Sequence, residues 1–230
     1  MPVKSLLLRG AVAAALGALP AAANAQLILS EVIVELKPGA AMREDVDMSN
    51  VSTDRLYVLA EPREIVAPGM PAETDRRDPD PEKLGLLVSP SRSILEPGQH
   101  KLLRVAVLGG AADRERVYRV TVKPVVGEVT SSQSGLKLLV GYDMLVLVRP
   151  SVARVAVEGM REGHDLVIRN RGNSSVEMFG GKQCDAASAN CADLPSKRLY
   201  AGAEWRIPLP GSGPAKYNIK SVTGTAEQRF

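Results

Sequence analysis

Two histidines, two cysteines and scattered serines and carboxylates are all that this 230-residue sequence offers for catalysis or metal binding. His100 stands beside a Pro97-Gly98 turn and His164 follows Gly163; neither has ligand spacing with Cys184 or Cys191. The serines carry no G-x-S-x-G elbow. A phosphate-binding glycine loop and a paired zinc motif are also missing from the sequence. Cys184 and Cys191 are too far apart for a C-x-x-C redox pair, and in an oxidising compartment they read as a disulfide closing a small loop. Loop-closure entropy assigns such a bridge roughly 2–3 kcal/mol. The chemistry expected is therefore binding: no enzyme activity, no cofactor and no metal. The segment that suggests binding is Leu136-Lys137-Leu138-Leu139-Val140, in which Leu136, Leu138 and Val140 share one face by the period of two. By residue type alone it is an ordinary core strand. Kept as an exposed apolar edge, it would be a surface for adding a partner's strand.

The compartment follows from the N-terminus. Lys4 and Arg9 precede an apolar stretch from Ala11 to Ala23, and Ala23-Asn24-Ala25 offers small residues for cleavage. This order predicts a secretory signal over residues 1–25, with Gln26 opening the mature chain. The apolar run is short and interrupted by Pro20, so it does not read as a membrane helix. Loss of Lys4 and Arg9 takes the formal charge of +3 close to neutrality. A nearly neutral chain gives no general argument for nucleic acid or for a membrane surface.

The elements that would position the binding segment are strands. After the signal, short runs rich in Val, Leu and Ile are broken by Pro, Gly, Asn and Asp at intervals of about 8–12 residues, the pattern of antiparallel sandwiches. Seven strands are expected before Pro150: Leu27 to Leu36; a run holding Val46, Met48 and Val51; Leu56 to Glu61, with Glu64 to Val66 continuing it past Pro62; Gly85 to Pro90; Lys101 to Leu108; Glu115 to Val125; and Leu136 to Val148. Pro68 to Glu82, with four prolines, reads as a surface loop. The last 80 residues repeat the pattern more weakly, with runs at Val152 to Val157, Asp165 to Asn170, Ser175 to Phe179, Leu199 to Leu209 and Tyr217 to Val222. The expected fold is all-β, with two immunoglobulin-like sandwiches over residues 26–150 and 151–230.

Four segments fall in a recognisable order: GLLVSP from Gly85, SILEPGQHKLLRV from Ser93, DRERVYRVTVKPV from Asp113 and LKLLVGYDMLVLVRP from Leu136. In that order they resemble the first domain of the periplasmic pilus (fimbrial) chaperones of the chaperone–usher pathway. A Gly-Asn-x-x-Val run at Gly172 and the cysteine loop add a weaker likeness in the second half. The resemblance implies two immunoglobulin-like domains set like a boomerang. It implies pilin subunits as partners, held by donor-strand complementation and passed to an outer-membrane usher. Leu136, Leu138 and Val140 would be the groove-filling residues. It also implies an interdomain ion pair, which maps onto Glu115 and Arg149. The basic pair that such chaperones use in the cleft for the subunit's C-terminal carboxylate has no match. The first strand reads SEVIVEL with no Arg, and the seventh-strand position falls near Leu145. In this respect the chain is similar to the divergent branches serving alternate CFA-like fimbriae and the common pilus, and Lys37 is the expected substitute anchor. The protein would be periplasmic, would not bind nucleic acid or embed in a membrane, and free chains would cap one another as dimers. The rival readings are a pilus subunit or tip adhesin, and a secreted sugar-binding sandwich. Two complete sandwiches count against the first, and one Trp with five Tyr is thin material for the second.

Overall fold

A computed structural model describes residues 26–39, 41–110, 112–125, 139–185 and 190–230. Among the described residues ten strands precede Pro150: β1 (Leu27–Leu29), β2 (Ile33–Leu36), β3 (Arg43–Asn50), β4 (Leu56–Val66), β5 (Thr74–Arg76), β6 (Leu86–Ser89), β7 (Arg92–Leu95), β8 (His100–Val107), β9 (Arg116–Val125) and β10 (Tyr142–Val148). One helical turn, α1 (Pro81–Leu84), lies between β5 and β6. The strands form two sheets, β1-β3-β8-β6 and β2-β10-β9-β4-β5, with β7 also on β4. Leu27, Met48, Leu103, Val105, Tyr118, Val120, Val122, Met144 and Val146 lie between the sheets without solvent contact.

The second sandwich holds β11 (Val157–Glu162), β12 (Asp165–Asn170), β13 (Val176–Cys184), β14 (Cys191–Leu194), β15 (Lys197–Leu199), β16 (Glu204–Pro208), β17 (Ala215–Ser221) and β18 (Gly224–Arg229). Its sheets are β11-β12-β16 and β14-β13-β17-β18, with β15 on β13. Leu166, Ile168, Val176, Met178, Leu199 and Tyr217 centre its own core. Cys184 and Cys191 are register partners across β13 and β14 and are joined by a disulfide.

Several expectations need correction. The run Leu27 to Leu36 is two strands in opposite sheets: β1 pairs with β3, and β2 runs parallel to β10. The alternation slips by one residue between them, Leu27 and Leu29 being buried before the slip and Val34 and Leu36 after it. Strand β4 passes through Pro62 without a break. The reason is directional. Ala60 donates its N–H outward to Ser91 O at 2.9 Å, so the backbone of Pro62, two residues on, also points outward. There β4 has no second neighbour, because β7 pairs only with Leu56–Leu59 and β5 only with Glu64–Val66, and the missing donor is not needed. The expected loop from Pro68 to Glu82 contains β5 and the start of α1. Asp80 caps α1 by accepting the Glu82 N–H at 3.0 Å. The run Val152 to Val157 is not a strand until Val157, and Leu199 to Leu209 divides into β15 and β16.

The two sandwiches share a local device. Asn50 closes β3 and Asn170 closes β12, both fully enclosed. The Nδ2 of Asn50 donates to Leu95 O at 3.0 Å and Asp54 O at 2.7 Å, and that of Asn170 to Leu199 O at 3.0 Å and Ser174 O at 2.9 Å. Each Oδ1 accepts the backbone N–H two residues on, from Ser52 and Gly172, at 2.9 Å. The main chain repeats the match: Asn50 bonds Gln99 and Gly98, and Asn170 bonds Ala203 and Gly202. Each asparagine thus clamps a Leu-x-x-Gly turn in the facing part of its own sandwich.

Candidate functional site

The outer face of the sheet β2-β10-β9-β4 is where the two sandwiches meet. Alternation along β10 sends Met144, Val146 and Val148 into the first core and Leu145 and Leu147 to the other side, where they join Val117 and pack against Tyr200 of the second sandwich. Burial on both faces explains why Met144 to Val148 is continuously apolar. The same period carries Arg149 and Glu115 onto this outer face, beside Leu147 and Val117. Glu35 joins them, being the register partner of Leu147.

Arg149 and Glu115 form a direct ion pair, their side chains 4% and 1% exposed. Serines from the second sandwich complete it. Arg149 Nη1 donates to Ser174 Oγ and Ser175 Oγ, each at 3.1 Å. Glu115 Oε2 accepts from Ser174 Oγ at 3.0 Å and from the Ser175 N–H at 3.1 Å. A second carboxylate approaches from β2: Arg149 Nη2 donates to Glu35 Oε1 at 2.8 Å. One guanidinium therefore serves two acids from the first sandwich and two hydroxyls from the second. Nearby, Asn173 Nδ2 donates to Asp113 O at 2.7 Å and to Val152 O at 2.8 Å. Arg114 reaches Ala201 O. Gly202 is needed there because its φ of +78° lies in the left-handed region that strains other residues.

Lys37 lies at the rim, 59% exposed, with its Nζ 3.9 Å from Glu35 Oε2. Glu35 is the one arm of the network with appreciable solvent contact, at 30% exposure. Burial acts to raise its carboxyl, but the hydrogen bond and charge of Arg149, with Lys37 and Arg198 beyond, outweigh it and hold Glu35 below the usual glutamate range. A carboxyl lowered by folding contributes stability that is present above its unfolded pKa and is lost as pH falls through the folded value. The wild type should therefore be more stable than Glu35→Gln at neutral pH, with the two converging on acidification below the usual glutamate range. Urea midpoints across pH measure this; a gap independent of pH would refute it.

The binding segment falls partly outside the described residues, where Leu136 and Leu138 lie. Val140 is described and is 49% exposed, and the strand starts only at Tyr142, later than the expected Leu136. Tyr142 is fixed: it packs on the first core, and its OH donates to Leu27 O at 2.8 Å. Asp143 is held by a fork from Arg63, at 2.9 and 3.0 Å. The free edge of β10 is capped only in part. Strand β2 covers Leu145–Val148, and the Leu145 N–H reaches Val32 O at 2.9 Å. Upstream of Leu145 the chain has already crossed to the other sheet as β1, so among the described residues no strand covers this edge from Leu139 to Asp143, where the Arg119 guanidinium reaches the Asp143 carbonyl at 3.1 Å.

The resemblance missed Glu35, Ser174 and Ser175. Glu35 looks like the solvent-facing member of an alternating strand, and nothing in the sequence says that a second sandwich covers that face. The serines follow the Gly172-Asn173 pair that was singled out as a likeness, and this was the one signal available.

The chain is all-β, with two immunoglobulin-like sandwiches and a buried ion pair at their junction. The profile of pili and flagellar-assembly chaperones, PapD N-terminal domain, matches residues 28–154, more than half of the chain, and the protein belongs to that family. A search of curated proteins gave no match. Among solved structures, the class 5 fimbriae chaperone CfaA is similar with a TM-score of 0.66 and 20% identity, over 88% of this chain and 98% of that one. The Salmonella enterica SafB chaperone, solved with the SafA pilin, gives 0.63 and 17% over 91% and 98%. The E. coli chaperone DraB gives 0.60 and 20% over 89% and 94%.

Proposed function

We propose that this pilus-assembly chaperone works in the periplasm, holding a pilin subunit by lending it the segment that leads into β10 and then delivering it to an outer-membrane usher. The observation that carries the reading is the open edge upstream of Leu145, beside a β2 that caps only Leu145–Val148. A partner strand can add to that edge by main-chain hydrogen bonds. Leu136, Leu138 and Val140 would enter the partner's groove, each contributing roughly 1.5–3 kcal/mol if fully buried. Residues 1–25 would be removed at export, and residues 26–150 and 151–230 would act as two domains. Glu115 and Arg149, with their serine partners, would set the angle between them. Lys37 at the cleft rim would attract the subunit's terminal carboxylate. The same open edge would let free chains pair as self-capping dimers.

The test is periplasmic co-expression with the pilin from the same gene cluster, followed by gel filtration of wild type and Leu138→Asp. A soluble one-to-one complex that the variant loses supports the reading. A folded monomer that forms no complex sinks it for that pilin and moves weight to an adhesin or sugar-binding role.

A further inference from the structure

The second edge of the β10 segment carries information that the open edge does not. Ala60 points its N–H away from β9, toward Ser91. Its register partner on β9, Val122, must then point away from β4, that is toward β10. The other side of the sheet agrees. Leu145 donates to Val32 on β2, so its partner Arg119 points toward β4, and Val122, three residues on, points the opposite way. Tyr142 and Val122 are therefore a bonded pair. The next bonded pair in this register joins Val140 to residue 124, and residue 124 is Pro124, which has no N–H to give. Strand β9 runs on to Val125 along β4, but its ladder with β10 stops at Tyr142. Pro124 costs β4 nothing, because its backbone faces the other way.

We propose that Pro124 ends the protein's own hold on β10 and so sets where the partner-binding segment begins. The proposal rests on the donor-strand reading and deepens it. A strand that replaces a missing strand inside a partner's sheet needs both of its edges. No described strand covers the edge of Leu139, Gly141 and Asp143, because β2 starts late, and the Arg119 guanidinium caps only the Asp143 carbonyl, at 3.1 Å. The edge of Val140 is held less firmly, because Pro124 has no N–H to give to the Val140 C=O and the ladder ends at Tyr142. Tyr142, tied to Leu27, marks the last residue that stays with the chaperone.

Pro124→Val and Pro124→Ala both return the N–H with different side chains, so a shared effect belongs to the hydrogen bond and not to packing. Amide exchange of the free protein is the first readout. In both variants the restored amide of residue 124, which donates to the Val140 C=O, should exchange roughly three- to tenfold more slowly than an unbonded amide, the range for one net hydrogen bond. Pilin capture should weaken by a similar factor, since the partner must displace the restored bond. An unprotected amide at residue 124 in both variants, with unfolding midpoints showing a folded protein, overturns the proposal. A protected amide at residue 124 with undiminished capture supports Pro124 as the ladder's end and overturns the donor-strand reading alone.

Discussion

Arg149→Ala should lower the stability of the protein by about 3–5 kcal/mol, the cost of leaving a buried charge unpaired. The size of the effect comes from what remains. Glu115 would keep its enclosed carboxylate, with only Ser174 and the Ser175 N–H as donors. Ser174 and Ser175 would lose the guanidinium that organises them, and Glu35 would lose its 2.8 Å contact. The attraction itself is not the source, since desolvation offsets most of the gain from burying an ion pair. Replacing both partners by apolar residues, as in Glu115→Leu with Arg149→Met, should accordingly cost much less than Arg149→Ala alone. Urea denaturation of the single and double variants decides. A single variant within about 1 kcal/mol of wild type would show that the carboxylates are hydrated and the junction is not the sealed site described.

Asn50→Ala and Asn170→Ala are expected to cost about 2–4 kcal/mol each, from hydrogen bonds lost and from the Leu95 and Leu199 carbonyls left enclosed without a partner. The two losses should be of similar size, because the two asparagines share both Nδ2 bonds and the backbone bond to Oδ1 at closely similar distances, Asn50 adding one from Ser52 Oγ at 2.7 Å. Calorimetry of each variant measures them. An effect confined to one sandwich would mean that the likeness of the two clamps is geometric and not energetic. Asn→Asp is an informative companion, since it keeps the acceptor for Ser52 or Gly172 but sets a carboxyl oxygen against the two carbonyls that Nδ2 serves.

Much of the fold was legible because alternation follows burial on one face. Val46 and Met48, Leu103 and Val105, and Tyr118, Val120 and Val122 all lie inside as their spacing implies. Failures came where one segment serves two surroundings. The β1–β2 switch carries a phase slip in the alternation, visible in hindsight as Leu27 and Leu29 followed by Val34 and Leu36. Strand β18, reading Gly-Thr-Ala-Glu-Gln-Arg, has no apolar face and is held as an edge by its ladder to β17, so composition gave no sign of it. Strand β10 concealed its two-sided burial as a plain apolar run. At the junction, Glu115 and Arg149 were reachable only through a family likeness. Glu35 was out of reach, because its partner is 114 residues away and the alternation assigns it to solvent.

The shared guanidinium also bears on the order in which the chain can finish folding. Glu115 and Arg149 are made before Ser174 and Ser175, and a chain synthesised N-terminus first delivers the first sandwich before the second. At that stage β10 can pair with β2 and β9, and the first core can close, but its innermost ion pair still lacks the hydroxyls and the N–H that come from the other half. The outer face of Leu145 and Leu147 is likewise bare until Tyr200 arrives. The second sandwich is thus the cover under which the first completes its polar interior, and the two are better regarded as one cooperative body than as beads on a string.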